Sequence, residues 1–183
     1  PRSMRDGRQL VGWGMAVGTH PVYSSPGEAT IRVRADGKVE VLSSSIDMGT
    51  GTYTILAQTA ADAIGVPMES VEVKLGDSRL PRAPVAGGSQ LANLMTAAVH
   101  KTAVAVREEL IALGLTDENS PLRNAANTLE IADGRIGASR GEAIPISALL
   151  AAVGRDVLEV NRDTLPEGER TPEERLRFFT SLV

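Results

Sequence analysis

The segment from Asp47 to Thr54 is best suited to bind a ligand, because its glycines and hydroxyls lie where a strand-like segment gives way to a helical one. Backbone N–H groups and the positive dipole end of a helix N-terminus attract anions such as phosphate. Gly49 and Gly51 would let a ligand approach the backbone closely. Hydroxyl donors would come from Thr50, Thr52 and Thr54. Spacing alone favours the simpler alternative, a strand-to-helix turn with a threonine cap. The segment has neither the Gly-Lys-Ser/Thr of a Walker A loop nor the third glycine of a dinucleotide fingerprint.

A second glycine-rich turn precedes a long helical pattern. Gly87, Gly88 and Ser89 would present N–H groups and one hydroxyl at the start of that helix. The simpler alternative is again a capped turn, with Ser89 as the N-cap. Two such turns favour an anion site if the fold places them side by side, which the sequence does not establish.

Other reactive side chains lack the companions that chemistry would need. His20 and His100 lie far apart without further ligands nearby, which favours surface or packing roles over metal binding. Gly76-Asp77-Ser78 is most simply a turn, and Asp62 fits a solvated helix face. We therefore predict no catalytic and no metal-ligating residue.

The composition is typical of a soluble globular domain with an aliphatic core. Among 183 residues, 42% are hydrophobic but only 3% aromatic, so the core must consist of Ala, Val, Leu and Ile. A net charge of -4 without a Lys/Arg stripe argues against a nucleic-acid partner. Cys is absent, which excludes disulfides and thiolate metal ligands. No apolar run reaches the length of a membrane span. Cytoplasm and periplasm both stay open as compartments.

Local patterns predict an α+β fold, with antiparallel strands and hairpins packed by helices on one face. Hairpins are predicted around Asp36-Gly37 and Asp133-Gly134. The other predicted strands are Leu10–Gly18, which should be buried, and Val71–Leu75. The predicted helices are Tyr53–Ile64 ended by Gly65, Leu91–Leu113 ended by Gly114, and Ile146–Val153 with Ser147 as N-cap and Gly154 as stop.

Several spaced motifs together resemble one family. They are the run Val41–Gly65, containing Asp47-Met48-Gly49-Thr50-Gly51-Thr52-Tyr53-Thr54, then Gly76-Asp77-Ser78, Pro81 and Gly87-Gly88-Ser89. In order and spacing they resemble the molybdenum-binding large subunit of the xanthine dehydrogenase/aldehyde oxidoreductase family, especially the bacterial three-subunit aldehyde oxidoreductases. The resemblance implies that residues 1–160 are part of a molybdopterin-binding domain of a larger subunit. Residues 161–183 are expected to be a charged, poorly ordered tail.

The resemblance also implies a chemistry. Enzymes of this family hydroxylate aldehydes or N-heterocycles with oxygen from water, using a molybdenum ion held by a pterin cofactor, in plain or cytosine dinucleotide form. Electrons leave through iron–sulfur clusters to FAD. The implied partners are the rest of the large subunit, an iron–sulfur subunit and an FAD subunit.

The same resemblance assigns the cofactor contacts. The family's Met-Gly-Gln-Gly turn corresponds to Met48, Gly49, Thr50 and Gly51, with Thr50 shorter than the family's Gln. Gly87, Gly88 and Ser89 are similar to the segment near the molybdenum end of the cofactor. The family's catalytic Glu lies in a Gly-x-Gly-Glu motif, which this sequence lacks. We therefore expect the chain to be inactive alone. The alternatives are a stand-alone module for a phosphate-bearing ligand and a purely structural domain.

Overall fold

The fold is described by a computed structural model for residues 4–18, 21–22, 25–124, 128–139, 141–164 and 181–182. The α-helices there are α1 (Thr52–Ile64), α2 (Leu91–Thr116) and α3 (Ile146–Ala152), and Met68–Ser70 forms a 3-10 turn. The strands are β1 (Arg5–Asp6), β2 (Gln9–Leu10), β3 (Pro21–Val22), β4 (Glu28–Arg34), β5 (Val39–Leu42), β6 (Val71–Lys74), β7 (Glu130–Ala132), β8 (Arg135–Gly137), β9 (Ala143–Pro145), β10 (Val157–Asp163) and β11 (Ser181–Leu182).

The main sheet has four strands in the order β10-β4-β5-β6. The β10/β4 and β4/β5 pairs are antiparallel, whereas β5 and β6 are parallel. The parallel pair follows from the connection, since α1 carries the chain from the end of β5 back to the start of β6. The predicted α+β class is confirmed, with this parallel pair as the difference from an antiparallel sheet.

One face of the sheet packs against α1 and α2. Alternating residues of β4, among them Ile31 and Val33, point to that face and are buried. In β10, Val160 and Leu158 lie opposite these two residues and are also buried. Helix α2 contacts β4 and β10, and α1 contacts β5, β6 and α2. The core is therefore aliphatic, as the composition predicts.

The second Asp-Gly turn joins β7 to β8, and β9 completes a small antiparallel sheet. This sheet lies beside the end of α2. A methyl group at the buried Gly114 would come within 2.7 Å of Leu129 Cδ1, so the glycine allows close packing inside the helix. The prediction that Gly114 ends the helix is wrong, because α2 continues to Thr116.

The prediction of a buried strand at Leu10–Gly18 is also wrong. Strand β2 ends at Leu10, and residues 11–18 form no strand. Trp13, Met15 and Val17 are 88%, 92% and 87% exposed. Alternating apolar residues become a buried strand only when neighbouring backbone and side chains cover them, and no described residue does so here.

Two strand pairings involve the region after Arg155. Strand β10, which the sequence analysis does not predict, pairs along the whole of β4. Strand β11 pairs with β3. Most of the expected tail, residues 165–180, lies outside the described residues.

Helix ends follow the predictions only in part. Gly65, with φ 91°, ends α1 as expected and donates its N–H to the Ala61 carbonyl. The N-cap of α3 is Pro145, so Ser147 lies within the helix and the predicted cap is wrong. Gly154, with φ 68°, follows the end of α3 as predicted.

Candidate functional site

Helices α1 and α2 begin at the same edge of the main sheet. The Oγ of Ser43, just after β5, lies 3.8 Å from the Sδ of Met95, the fifth residue of α2. At the other end, Arg107 Nη1 of α2 donates a 3.0 Å hydrogen bond to the carbonyl of Ile64, the last residue of α1. The helices therefore run in the same direction, and the turns that precede them lie at one edge.

The loop from Gly76 to Gln90 ties this edge together. Gly76 N–H donates to the Ser45 carbonyl (2.9 Å), and Ser44 N–H donates to the Pro81 carbonyl (2.7 Å). Glu28 N–H, at the start of β4, donates to the Arg82 carbonyl (2.8 Å). The loop therefore bridges the start of β4 and the end of β5. It lies beside the segment that leads into the glycine-rich turn Asp47–Thr54, which is called the first turn below; Gly87–Ser89 is the second turn.

The first turn is organised by the Asp47 carboxylate. Oδ1 accepts the N–H groups of Gly49 (2.8 Å) and Gly51 (3.3 Å), and Oδ2 accepts that of Tyr53 (3.3 Å). These hydrogen bonds, the one from Gly49 above all, lower the pKa of Asp47 below its ordinary value. The Asp47 side chain therefore caps the start of α1. The sequence analysis expected free N–H groups, or a threonine cap, at this turn, and both expectations are wrong.

Sequence reasoning missed this role of Asp47, although a signal was present. An Asp two residues before a Gly commonly closes a turn onto its own backbone. Here both glycines have left-handed φ values, 98° at Gly49 and 76° at Gly51. That backbone curls the chain around the carboxylate, as such conformations do around anions.

The outer surface of the first turn is open. Apart from the glycine itself and its two chain neighbours, no atom of the described residues lies within 4 Å of where a side chain would start at Gly49 or Gly51. Thr50 is exposed, and its Oγ1 lies 3.1 Å from the Oγ1 of the buried Thr52. Met48 is 62% exposed. A ligand can therefore reach the backbone at both glycines with one hydroxyl beside it.

The second turn differs from its prediction at the cap. The N-cap of α2 is Gln90, not Ser89, and Gln90 makes no side-chain cap hydrogen bond. Its Oε1 instead accepts the hydroxyl of Ser25 at 3.0 Å. Gly88 and Ser89 have φ values of 60° and 54°, and both are exposed. Because Ser89 has this left-handed backbone, it precedes the helix rather than capping it.

Between the two turns, Asp77 and Arg79 form a local turn, as predicted for Gly76-Asp77-Ser78. Arg79 Nη2 lies 2.6 Å from Asp77 Oδ2, and the Arg79 N–H donates to Oδ1 at 2.9 Å. The Arg79 side chain lowers the pKa of Asp77 to about 2. The pair is self-contained and offers no catalytic base.

No alternative centre competes with this edge in the part of the chain that is described. That part holds no His, Cys, Asp and Glu group able to bind a metal ion. His100 is exposed on α2, and His20 lies outside the described residues. No described helix is long and apolar enough to cross a membrane. The Ser45 Oγ is the one buried side-chain polar atom of the described residues without a hydrogen-bond partner.

The sequence also matches known proteins. A family described as "Molybdopterin cofactor-binding domain" matches residues 1–174. The molybdenum-binding subunit PaoC of the aldehyde oxidoreductase of Escherichia coli O157:H7 is 40% identical over 137 residues, 74% of this chain and 18% of that protein. The large subunit of nicotine 6-hydroxylase of Paenarthrobacter nicotinovorans is 34% identical over 122 residues, 66% of this chain and 14% of that one. The chain thus spans less than a fifth of either relative.

Solved structures of two oxidoreductases share the fold of this chain. Quinoline 2-oxidoreductase from Pseudomonas putida 86 has a TM-score of 0.62 and 25% identity, with 78% of this chain and 19% of that chain covered. The Cu,Mo-CO dehydrogenase has a TM-score of 0.65 and 18% identity, covering 82% of this chain and 21% of the other, and supports the fold alone. The resemblance stated from the motifs is therefore confirmed, and this chain belongs to the molybdopterin cofactor-binding domain family.

Proposed function

We propose that this chain forms part of the pterin cofactor site of a molybdenum hydroxylase acting on an aldehyde or an N-heterocycle. The observation that carries the proposal is that the two glycine-rich turns begin neighbouring helices at one edge of the sheet. A purely structural domain would not need both turns on the same edge. The substrate classes come from the relatives, whose names specify an aldehyde, nicotine and quinoline.

The first turn fits a flat, uncharged ring system. The open space at Gly49 and Gly51 would let a ring lie against the backbone, and the exposed Thr50 hydroxyl could donate or accept a hydrogen bond. Met48 would add an apolar contact at the rim. On the second turn, Gly87, Gly88 and Ser89 would contact the cofactor nearer its metal. These groups would orient the pterin portion, which the plain and cytosine dinucleotide forms share.

When bound, the molybdenum ion of the cofactor supplies the redox and oxygen-transfer chemistry. The residues of this chain would hold and orient it and would exclude water from one side. The sequence has no Gly-x-Gly-Glu motif, so the proposal assigns the catalytic Glu to another part of the large subunit. It assigns the iron–sulfur clusters and FAD to partner subunits, as the family resemblance implies.

Exposed apolar side chains lie on or next to both turns and support an additional wall that covers the proposed site. Ile46, Met48 and Tyr53 are exposed on the first turn, and Val85 is 74% exposed just before the second. Clustered exposed apolar groups mark surfaces that another molecule covers. The rest of the large subunit, together with the cofactor, is the proposed cover.

The test is an amide NMR titration of the 183-residue chain with 6-hydroxymethylpterin, an uncharged pterin. Binding at the proposed site predicts chemical-shift changes at residues 48–51 and 87–89 together. A purely structural domain predicts no change at either turn. A phosphate-binding module predicts changes with inorganic phosphate at one turn and none with the pterin.

Activity provides a second test. We expect no oxidation of an aldehyde by the purified chain, because the proposal places the catalytic Glu elsewhere. Turnover by the chain alone would contradict this assignment.

A further inference from the structure

The N–H groups of the first turn already bind an anion, the carboxylate of Asp47. Three backbone N–H groups that could have bound a ligand's phosphate, those of Gly49, Gly51 and Tyr53, are donated to the Asp47 carboxylate. The positive end of the α1 dipole therefore faces a charge that the chain itself supplies. A second anion at this position would have to displace the first one.

In the described part of the chain, the negative charge of Asp47 has no cationic partner. Among the described residues, no Lys or Arg forms an ion pair with Asp47. Arg79, on the neighbouring loop, is already paired with Asp77 at 2.6 Å. A carboxylate is already ionised at neutral pH, and the hydrogen bonds from the turn lower the pKa of Asp47 further. Binding of a phosphate is therefore opposed twice, because the N–H donors already bind Asp47 and the negative charge of Asp47 repels the phosphate.

The geometry points to Asp47 as a specificity-determining residue that makes the first turn a contact for the uncharged ring of the cofactor and excludes its phosphate. This inference rests on the proposed function and narrows it. The glycine surfaces and the Thr50 hydroxyl, which Asp47 does not occupy, remain for the ring. The phosphate-bearing end of the cofactor must then bind elsewhere.

The probe is sodium pyrophosphate, added to the 15N-labelled 183-residue chain at pH 7 and low ionic strength. In the wild type we expect the amide signals of Gly49, Gly51 and Tyr53 to stay unchanged at millimolar pyrophosphate. In Asp47→Ala the same amides lose their acceptor and the local negative charge. We expect them to shift with pyrophosphate, and the shift to weaken at least threefold when salt is raised to 0.2 M.

Two further variants control the experiment. Asp62→Ala removes an equal charge from the exposed face of α1, frees no cation paired with it among the described residues, and should leave the first turn unresponsive to pyrophosphate. Asp47→Asn keeps an acceptor for the turn but removes its charge, so it should fold even if Asp47→Ala does not. It should respond to pyrophosphate more weakly than Asp47→Ala and more strongly than the wild type.

Pyrophosphate shifts at the first turn of the wild type would overturn the inference, as would a folded Asp47→Asn or Asp47→Ala protein that does not respond. The proposed function is tested separately by the uncharged pterin. If pyrophosphate behaves as expected and the pterin shifts neither turn, Asp47 still excludes anions from the first turn, but the ring contact and the cofactor proposal both fail. If the pterin shifts both turns and wild-type pyrophosphate also shifts the first, the cofactor proposal stands and the inference fails.

Discussion

Arg107 and Ile64 join the two helices of the core at the end opposite the candidate site. Arg107 Nη1 donates to the carbonyl of Ile64, which ends α1, and also to the carbonyl of Ile131 in β7, each at 3.0 Å. One guanidinium therefore connects α1, α2 and the small sheet. By fixing the two helices to one another, it also keeps both N-terminal turns at one edge of the main sheet.

We predict that Arg107→Met lowers the free energy of unfolding by about 1–3 kcal/mol, because two partly buried carbonyls lose a charged donor. Urea unfolding followed by circular dichroism would measure this change. Arg107→Lys keeps the charge with a single donor group and should lose less. Equal losses in both variants would mean that the paired hydrogen bonds are not the cause.

Gly65 should tolerate substitution poorly for two separable reasons. Its φ of 91° is unfavourable for any residue with a side chain, and a methyl group would lie 2.5 Å from the Ile131 carbonyl oxygen. Gly76 is a matched control, with φ 83° and no atom within 4 Å of the same position.

We predict that Gly76→Ala destabilises the fold by about 1–2 kcal/mol through its backbone alone. Gly65→Ala should lose about 1–3 kcal/mol more, because the methyl group forces the backbone of β7 to move. Thermal unfolding of both variants measures the difference. Equal melting temperatures would show that the backbone of β7 can move away from the methyl group without a loss of stability.

Glu40 makes stability depend on pH. It is almost fully buried on the sheet face opposite the helices, and Lys74 Nζ lies 2.6 Å from its Oε1. This hydrogen bond lowers the pKa of Glu40 below its ordinary value of 4.5. Because the folded-state pKa is the lower one, the stabilisation is complete above pH 4.5 and is lost as the pH falls through the folded-state value.

We predict that Lys74→Met lowers the free energy of unfolding at pH 7 only slightly, because the Lys74 side chain is partly exposed and solvent screens the pair. The difference from the wild type should shrink as the pH falls below 4.5 and Glu40 becomes protonated. Urea unfolding at a series of pH values measures it. Arg123→Met removes an exposed charge that forms no ion pair among the described residues, and it should show no such pH dependence.

Thr50 is the position of the proposed cofactor contact at which this chain differs from the Met-Gly-Gln-Gly turn that it resembles. Thr50→Val keeps the shape but removes the exposed hydroxyl, which should weaken binding of the uncharged pterin by about 0.5–1.5 kcal/mol. The free energy of unfolding should also fall, by about 0.5–2 kcal/mol, because the hydroxyl of the buried Thr52 loses its 3.1 Å partner. Thr50→Gln restores the longer family side chain and should not weaken binding. Unchanged pterin affinity in Thr50→Val would remove Thr50 from the site.

The features predicted correctly depend on residues close together in the chain. Both Asp-Gly hairpins, the helix Thr52–Ile64 and its end at Gly65 follow from patterns spanning a few residues. The same patterns failed where the outcome depended on distant contacts. Gly114 has the sequence signature of a helix end, but packing against Leu129 keeps it within α2.

Composition, periodicity and spaced motifs can all be read along one chain, and they were enough to predict the aliphatic core, the α+β class and the family. The folded structure was needed to establish that β10 pairs with β4, that α1 and α2 start at one edge, and that Asp47 occupies the N–H groups of the first turn. The physical reason is that pairing and burial join residues that are far apart in the chain, such as Gly27 and Thr164, which are 137 positions apart. Which distant groups meet, and which donors remain for a ligand, is fixed only when the chain folds.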